Sequence, residues 1–380
     1  MLELQDILNC FGDTFLKTNI VCYEGIKAVK AIKSCRTAAL GGHIDVCEDC
    51  GELHISYNSC RNRNCSKCGT VKKEQWIEDR KADLLPVRYF HTVFTVPHEL
   101  NPLFMCNLDL MLTILFKAAS ETLRVLASDK KHLGASIGTT MVLHTWGQNL
   151  SFHPHVHCIV PGGGLSPSGI SFIKSGKKFF IPVKVLSKVF RGKFMDSLAK
   201  AYYESKLELK GDCKELLNEA CFMNLKDSMY KKDWVVYCKK PFQQTHHIIQ
   251  YLGNYTHRVA IYNNRLISMD GHSVTFRYKD YRDKNRQKLM TLDAMEFIRR
   301  FLMHVLPSGF QKIRHYGLLS NRNRNTKLAR CQKLTGLPVK QKIKLNARDI
   351  LLKLKGIDIS LCRECGGNKK RIATLLPSPA

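Results

Sequence analysis

Phe152-His153-Pro154-His155-Val156-His157-Cys158-Ile159-Val160 sets three histidines at i, i+2 and i+4 and runs straight into an apolar stretch. Side chains on a β-strand alternate between faces, so His153, His155 and His157 project from one side of such a strand. Imidazole is the commonest metal ligand among side chains, and it binds in the neutral form that prevails near pH 7. Packing explains a row of three on one face poorly; a metal site explains it well. Upstream, Ala135 to Trp146 reads as a second strand. Gly147-Gln-Asn-Leu-Ser151 joins the two at a spacing that suits an antiparallel hairpin. His144 on that partner strand can reach the histidine row, which makes it a candidate third ligand beside His155 and His157. His153 precedes a proline at the strand's edge and is the outer candidate.

Further out the pattern alternates between strand and helix. Val87 to Val96 is rich in β-branched and aromatic residues and reads as a strand; an apolar-periodic helix follows over Pro102 to Ala127. Lys184 to Tyr230 is mostly helical, Trp234 to Cys238 is a short strand, and Pro241 opens a helix running to about Thr256. Two or three short strands occupy Arg258 to Lys279, turning at Asn263-Asn264 and Asp270-Gly271, and the chain from Thr291 onward reads as helical and basic. Strands interrupted by helices, without a βαβ rhythm, predict an α+β fold with one antiparallel sheet and the histidine strand at its centre. The chain divides into a helical, cysteine-rich module (1–85), a central domain carrying the histidine strand and the later tyrosine helix (86–285) and a basic C-terminal region (286–380).

Lys and Arg total 60 against 32 Asp and Glu, a formal charge of +28, which points to a polyanion and first to nucleic acid. No run of 18 apolar residues appears, so no membrane span is expected, and Met1-Leu-Glu-Leu-Gln lacks the start of a secretory signal. A cytoplasmic, nucleoid-associated protein is expected. Sixteen cysteines in such a chain read as reduced thiols and metal ligands rather than disulfides. Cys47-Glu-Asp-Cys50 and Cys65-Ser-Lys-Cys68 are paired knuckles that can complete one tetrahedral thiolate zinc site, although their spacing is one residue short of the usual window. Cys60, His43 and His54 lie close in sequence, so the four ligands stay open, as does a second ion. Arg61 and Arg63, on the loop between the knuckles, suit phosphate contact. Cys362-Arg-Glu-Cys365 is half a site on its own. Cys10, Cys22, Cys35, Cys106, Cys213, Cys221 and Cys238 lack knuckle spacing and are expected to be buried apolar groups.

Tyr251-Leu-Gly-Asn-Tyr255 sets two phenols one helical turn apart, with Ile248 and Leu252 on the neighbouring stripe to anchor the helix to the sheet. A phenol is a usable nucleophile toward phosphorus when a metal polarises the phosphate and the phenol loses its proton. His155-Val-His157 together with Tyr251 and Tyr255 resembles the two-tyrosine HUH endonucleases. With His144-Thr-Trp-Gly147, Tyr251 through Ala260 and the upstream cysteine knuckles, the ordered set resembles the rolling-circle insertion-sequence transposases that carry an N-terminal zinc module.

That resemblance implies an antiparallel HUH core that cleaves and rejoins single-stranded DNA at element ends and target, through 5′-phosphotyrosine links on Tyr251 and Tyr255. It implies Mg2+ or Mn2+ at the histidines, where ligand preference alone favours zinc, copper or nickel, and Zn2+ at the cysteines. Arg258, following the tyrosines, joins Arg61 and Arg63 as a DNA-binding candidate, and Tyr251 is favoured to act first. A plasmid-type rolling-circle replication initiator would share the histidines and tyrosines but lacks a reason for the cysteine module. A zinc-dependent hydrolase using His144, His155 and His157 leaves the tyrosines and charge unexplained, and a non-catalytic zinc-containing regulator leaves the histidines unexplained.

Overall fold

A computed structural model describes residues 1–239, 248, 251, 253, 255–281, 283–338 and 343–378. Thirteen strands appear among these, in chain order β1 (Gly42–Cys47), β2 (Leu53–Tyr57), β3 (Tyr89–Thr95), β4 (Gly138–Trp146), β5 (Phe152–Pro161), β6 (Gly163–Leu165), β7 (Phe172–Lys174), β8 (Val236–Cys238), β9 (Leu266–Met269), β10 (Ser273–Asp280), β11 (Arg286–Asp293), β12 (Ile313–Gly317) and β13 (Lys369–Leu375). Every strand pair is antiparallel, and helices surround the sheets. The fold class is the α+β one expected, but the strands form four sheets where one was expected. The central sheet runs β12-β4-β5-β3-β8, so the histidine strand β5 is its middle member.

Alternation along these strands gives the sheet two different faces. Phe90, Phe94, Met141, Leu143, Val156, Cys158 and Val160 point to one side and are buried in the main core with helices Leu108–Ser128 and Val183–Tyr203. Phe104, Phe190 and Phe194 fill that core, and truncating one of these to Ala would cost about 3–5 kcal/mol. The opposite face carries His91 on β3, His144 on β4, and His155 and His157 on β5. Hydrophobic burial on one face thus holds the polar chemistry of the other in place.

A second core joins the chain's beginning to its later part. Leu4, Ile7, Leu8 and Phe15 of helix Leu4–Thr18, with Val29 and Ile32 of helix Tyr23–Lys33, pack against Val274 and Phe276 of β10 and against Phe297, Ile298 and Phe301 of helix Ala294–Leu302. The C-terminal strand β13 pairs with β1, completing a sheet of order β13-β1-β2.

Two local expectations need correction, and a third lies largely outside the described residues. The helix expected from Pro102 to Ala127 is two, Asn101–Cys106 and Leu108–Ser128. Asn107 breaks it because its side-chain amide bonds the backbone of Glu208, donating at 2.9 Å and accepting at 2.7 Å. Beyond Thr291 the chain is not only helical: it supplies β12 to the central sheet and β13 to the N-terminal one. The expected helix from Pro241 to Thr256 falls largely outside the described residues, although residues 248, 251, 253, 255 and 256 are helical.

Candidate active site and cysteine clusters

The register of the central hairpin sets His144 directly opposite His155, and His157 lies one step further along the same face. The ligand atoms of His144, His155 and His157 all lie within 4.8 Å of one another. Second partners fix each ring. His144 Nε2–H donates to the Tyr255 carbonyl at 2.8 Å, and His155 Nδ1–H donates to the His153 carbonyl at 2.7 Å. Nδ1 of His144 and Nε2 of His155 are left with free lone pairs. His157 Nδ1 lies 2.9 Å from Nε2 of His91, which leaves His157 Nε2 for the cluster. Three neutral nitrogens converge with a donor set that suits a divalent ion held by imidazoles. His153 is exposed and stands outside the cluster; only its carbonyl serves the site.

Burial keeps these rings uncharged. It pushes His155 down to about 4 and His91 to about 3, and it holds His144 and His157 well below the ordinary histidine value. The unfolded chain takes up these protons near pH ~6.5 while the folded rings refuse them, so stability must fall as pH drops from about 6.5 toward 4. A melting temperature clearly lower at about pH 5 than at about pH 7.5 is the expected measurement. An unchanged value would show that the rings are not buried as described.

The tyrosine segment crosses the histidine face. Ile248 is buried against Tyr89 and Ile159, anchoring the segment to the sheet. A Cβ added at Gly253 would lie 2.3 Å from Ile77 Cδ1, so glycine there lets helix Thr70–Lys81 approach. The two phenol oxygens are 3.0 Å apart, with Tyr251 donating to Tyr255. The Tyr255 ring lies 4.6 Å from that of His157 and stacks on His144 at 5.6 Å. Lys239 Nζ donates to Tyr251 Oη at 3.0 Å, and Tyr251 Oη is 3.4 Å from His91 Nδ1. His91, which sequence reading missed, therefore bridges the histidine cluster and the tyrosine pair. Its signal was a histidine of inward parity on the neighbouring strand. Desolvation raises both phenols, Tyr255 to about 12.

The cysteines form two clusters rather than one. Cys35, Cys60, Cys65 and Cys68 converge, and so do Cys47, Cys50, Cys362 and Cys365. The expected pairing of the Cys47 and Cys65 knuckles in one site is thus corrected: strand pairing of β1 with β13 carries the first knuckle away to the C-terminal one. Cys35 is a cluster member and not a passive core thiol, whereas Cys10 and Cys22, expected to be buried, are exposed. Each cluster is a four-thiolate donor set that fits tetrahedral zinc.

Comparison with known proteins follows the same division. A family described as "Transposase zinc-binding domain" matches residues 7–96, and one described as "Putative transposase" matches residues 138–327. The chain is 45% identical over 368 residues to "Putative transposase y4qJ" of Sinorhizobium fredii, covering 96% of this chain and 92% of that protein. It is 29% identical over 300 residues to "Transposase for insertion sequence element IS801" of Pseudomonas savastanoi pv. phaseolicola, covering 78% and 70% respectively. The chain belongs to this transposase family. The resemblance to insertion-sequence transposases with an N-terminal zinc module is borne out, and the transposase acts on DNA. No solved structure matches it. No helix among the described residues is long and apolar enough to cross a membrane.

Beside the tyrosines the transposase has a groove of about 1240 Å³. Thr256, His257 and Lys312 line one wall, with Arg36, Arg61, Lys67 and Lys72 from the N-terminal module and Arg363 from the C-terminal segment. Arg61 is exposed there. Arg63 has a different job from the one expected: its guanidinium donates to the carbonyls of Leu306, Pro307 and Phe310 at 2.7–2.8 Å and ties the cysteine loop to that segment. Arg258 sits 5.9 Å from the Tyr255 ring.

Proposed function

We propose that the transposase is an HUH-type, two-tyrosine nuclease and strand transferase acting on single-stranded DNA. The carrying observation is the pair of phenol oxygens, 3.0 Å apart, set against the three-histidine cluster. In the proposed step a tyrosine Oη attacks the scissile phosphorus and the bond from phosphorus to the 3′ oxygen breaks. The tyrosine gives up its Oη proton and the departing 3′ oxygen takes one, so a 3′-hydroxyl leaves with no net change in protons and the 5′ phosphate stays on the tyrosine. The link conserves the phosphoester bond energy, so a later 3′-hydroxyl attack rejoins strands without an external energy source.

His144, His155 and His157 would hold Mg2+ or Mn2+, which when bound supplies charge stabilisation to the phosphate oxygens. The chain's own groups do the rest. With His157 using Nε2 as a ligand atom, its Nδ1–H donates to His91 Nε2, and His91 Nδ1–H is directed at Tyr251 Oη. That oxygen then accepts from Lys239 and His91, which favours the phenolate. Arg258 adds positive charge beside both phenols. These donors support Tyr251 as the first nucleophile.

Mixing the purified protein with single-stranded DNA from the gene's flanks and Mg2+ or Mn2+ should yield a covalent protein–DNA adduct on a denaturing gel. An adduct absent with both metals and all flanking strands would overturn the reading. The groove is proposed as the strand's path, with Arg61 and Lys72 binding its phosphates. Replacing both by Glu should weaken binding and reduce the slope of log affinity against log salt by roughly 0.7 for each phosphate that is no longer neutralised. An unchanged slope would place the strand elsewhere.

A further inference from the structure

We infer that Cys47, Cys50, Cys362 and Cys365 form a second structural zinc site, built from both ends of the chain and distinct from the Cys35–Cys60–Cys65–Cys68 cluster.

The two halves are copies of one local structure. Each is Cys-x2-Cys-Gly, with the glycine at positive φ: +74° at Gly51 and +79° at Gly366. In the first, Gly51 N donates to the Cys47 carbonyl at 3.0 Å and Cys47 N donates to Glu52 O at 2.9 Å. In the second, Gly366 N donates to the Cys362 carbonyl at 3.1 Å and Cys362 N donates to Gly367 O at 2.7 Å. Backbone amides are aimed at the sulfurs as well: Asp49 and Cys50 bond Cys47, Glu364 bonds Cys362 at 3.4 Å, and Gly367 bonds Cys365 at 3.4 Å. Such donors stabilise thiolates, the form a metal binds. The third knuckle follows the same plan, Cys65-x2-Cys68-Gly69, with Gly69 at +98°.

The spacing selects a metal over disulfides. Cys47 and Cys365 sulfurs are 3.4 Å apart, and those of Cys50 and Cys362 are 3.8 Å apart. A disulfide needs about 2.05 Å. Zn–S bonds of about 2.3 Å at tetrahedral angles give sulfur–sulfur edges of about 3.8 Å. The Cys35–Cys68, Cys60–Cys68 and Cys65–Cys35 distances, 3.6, 3.7 and 3.7 Å, fall in the same range. His54 Nε2 stands 3.3 Å from Cys362 Sγ, positioned as a hydrogen-bonding neighbour of that sulfur. The Asp49 side chain packs directly on the Gly367 backbone, where a Cβ would lie 2.2 Å from its carboxylate, so the two knuckles are in contact.

The site fastens the C-terminal segment to the N-terminal module. Leu351, Ile359 and Arg363 of that segment form one wall of the basic groove, so the ion would hold that wall in place.

Full-length protein purified without chelator should contain two zinc ions per chain by elemental mass spectrometry. Cys362→Ser with Cys365→Ser should lower this to one, and Cys365→His, which keeps a ligand, should restore two. Replacement by cobalt should give thiolate charge-transfer absorption about half as intense in the double Ser variant as in the wild type. Limited proteolysis should cut the variant's last ~35 residues while sparing the rest. One zinc in the wild type, with no loss in the double variant, would overturn the second site. None of these measurements reads DNA chemistry, so they stand or fall separately from the proposed reaction.

Discussion

With Tyr251 and Tyr255 both replaced by Phe, the protein should still bind single-stranded DNA and form no covalent adduct. The substitution removes the two oxygens that can attack phosphorus and keeps the ring volume packed against His144 and His157. Folding should lose about 1 kcal/mol for each phenol hydrogen bond removed. Loss of a covalent nucleophile usually costs several powers of ten, so cleavage should drop by at least about 10⁴-fold. Tyr251→Phe should abolish the first cut more completely than Tyr255→Phe, because among the described residues Lys239 and His91 are donors to Tyr251. Both phenols are raised by burial, so wild-type cleavage should increase as pH rises above neutrality. An adduct formed by the double Phe protein would move the nucleophile to another group.

Much of this arrangement is legible in the sequence because period-2 alternation is a local property. His155 and His157 on one face, and His144 across a five-residue loop, follow from strand geometry once the hairpin is recognised. His91 does not, because it enters through the pairing of β3 with β5, which joins residues 66 apart. The cysteine pairing fails for the same reason on a larger scale. Adjacent knuckles look like partners in sequence, but β1 pairs with β13 more than 300 residues later and brings Cys362 and Cys365 to Cys50 and Cys47. Arg63 shows a third limit: sequence gives its charge but not the three carbonyls that occupy its guanidinium.

His155→Ala with His157→Ala should eliminate cleavage and leave DNA affinity nearly unchanged. Both side chains are ligand candidates, whereas the groove proposed to bind phosphates is lined by other residues, exposed Lys and Arg among them. His144→Ala should be about as damaging, because that ring supplies one nitrogen to the cluster and holds the Tyr255 backbone carbonyl with the other. His91 separates ligation from positioning. It has no place in the cluster but accepts from His157 and is directed at Tyr251, so His91→Phe should weaken Mn2+ binding by about 10–100-fold. Excess Mn2+ should then restore ion occupancy in His91→Phe but not in the double Ala protein, and the restored enzyme should still cleave slowly because Tyr251 has lost a donor. Titration of Mn2+ followed by its paramagnetic resonance, alongside single-turnover cleavage, reads the two effects separately. Full cleavage by the double Ala protein would exclude the histidine cluster from the chemistry. Wild-type Mn2+ affinity in His91→Phe would show that His91 does not position His157.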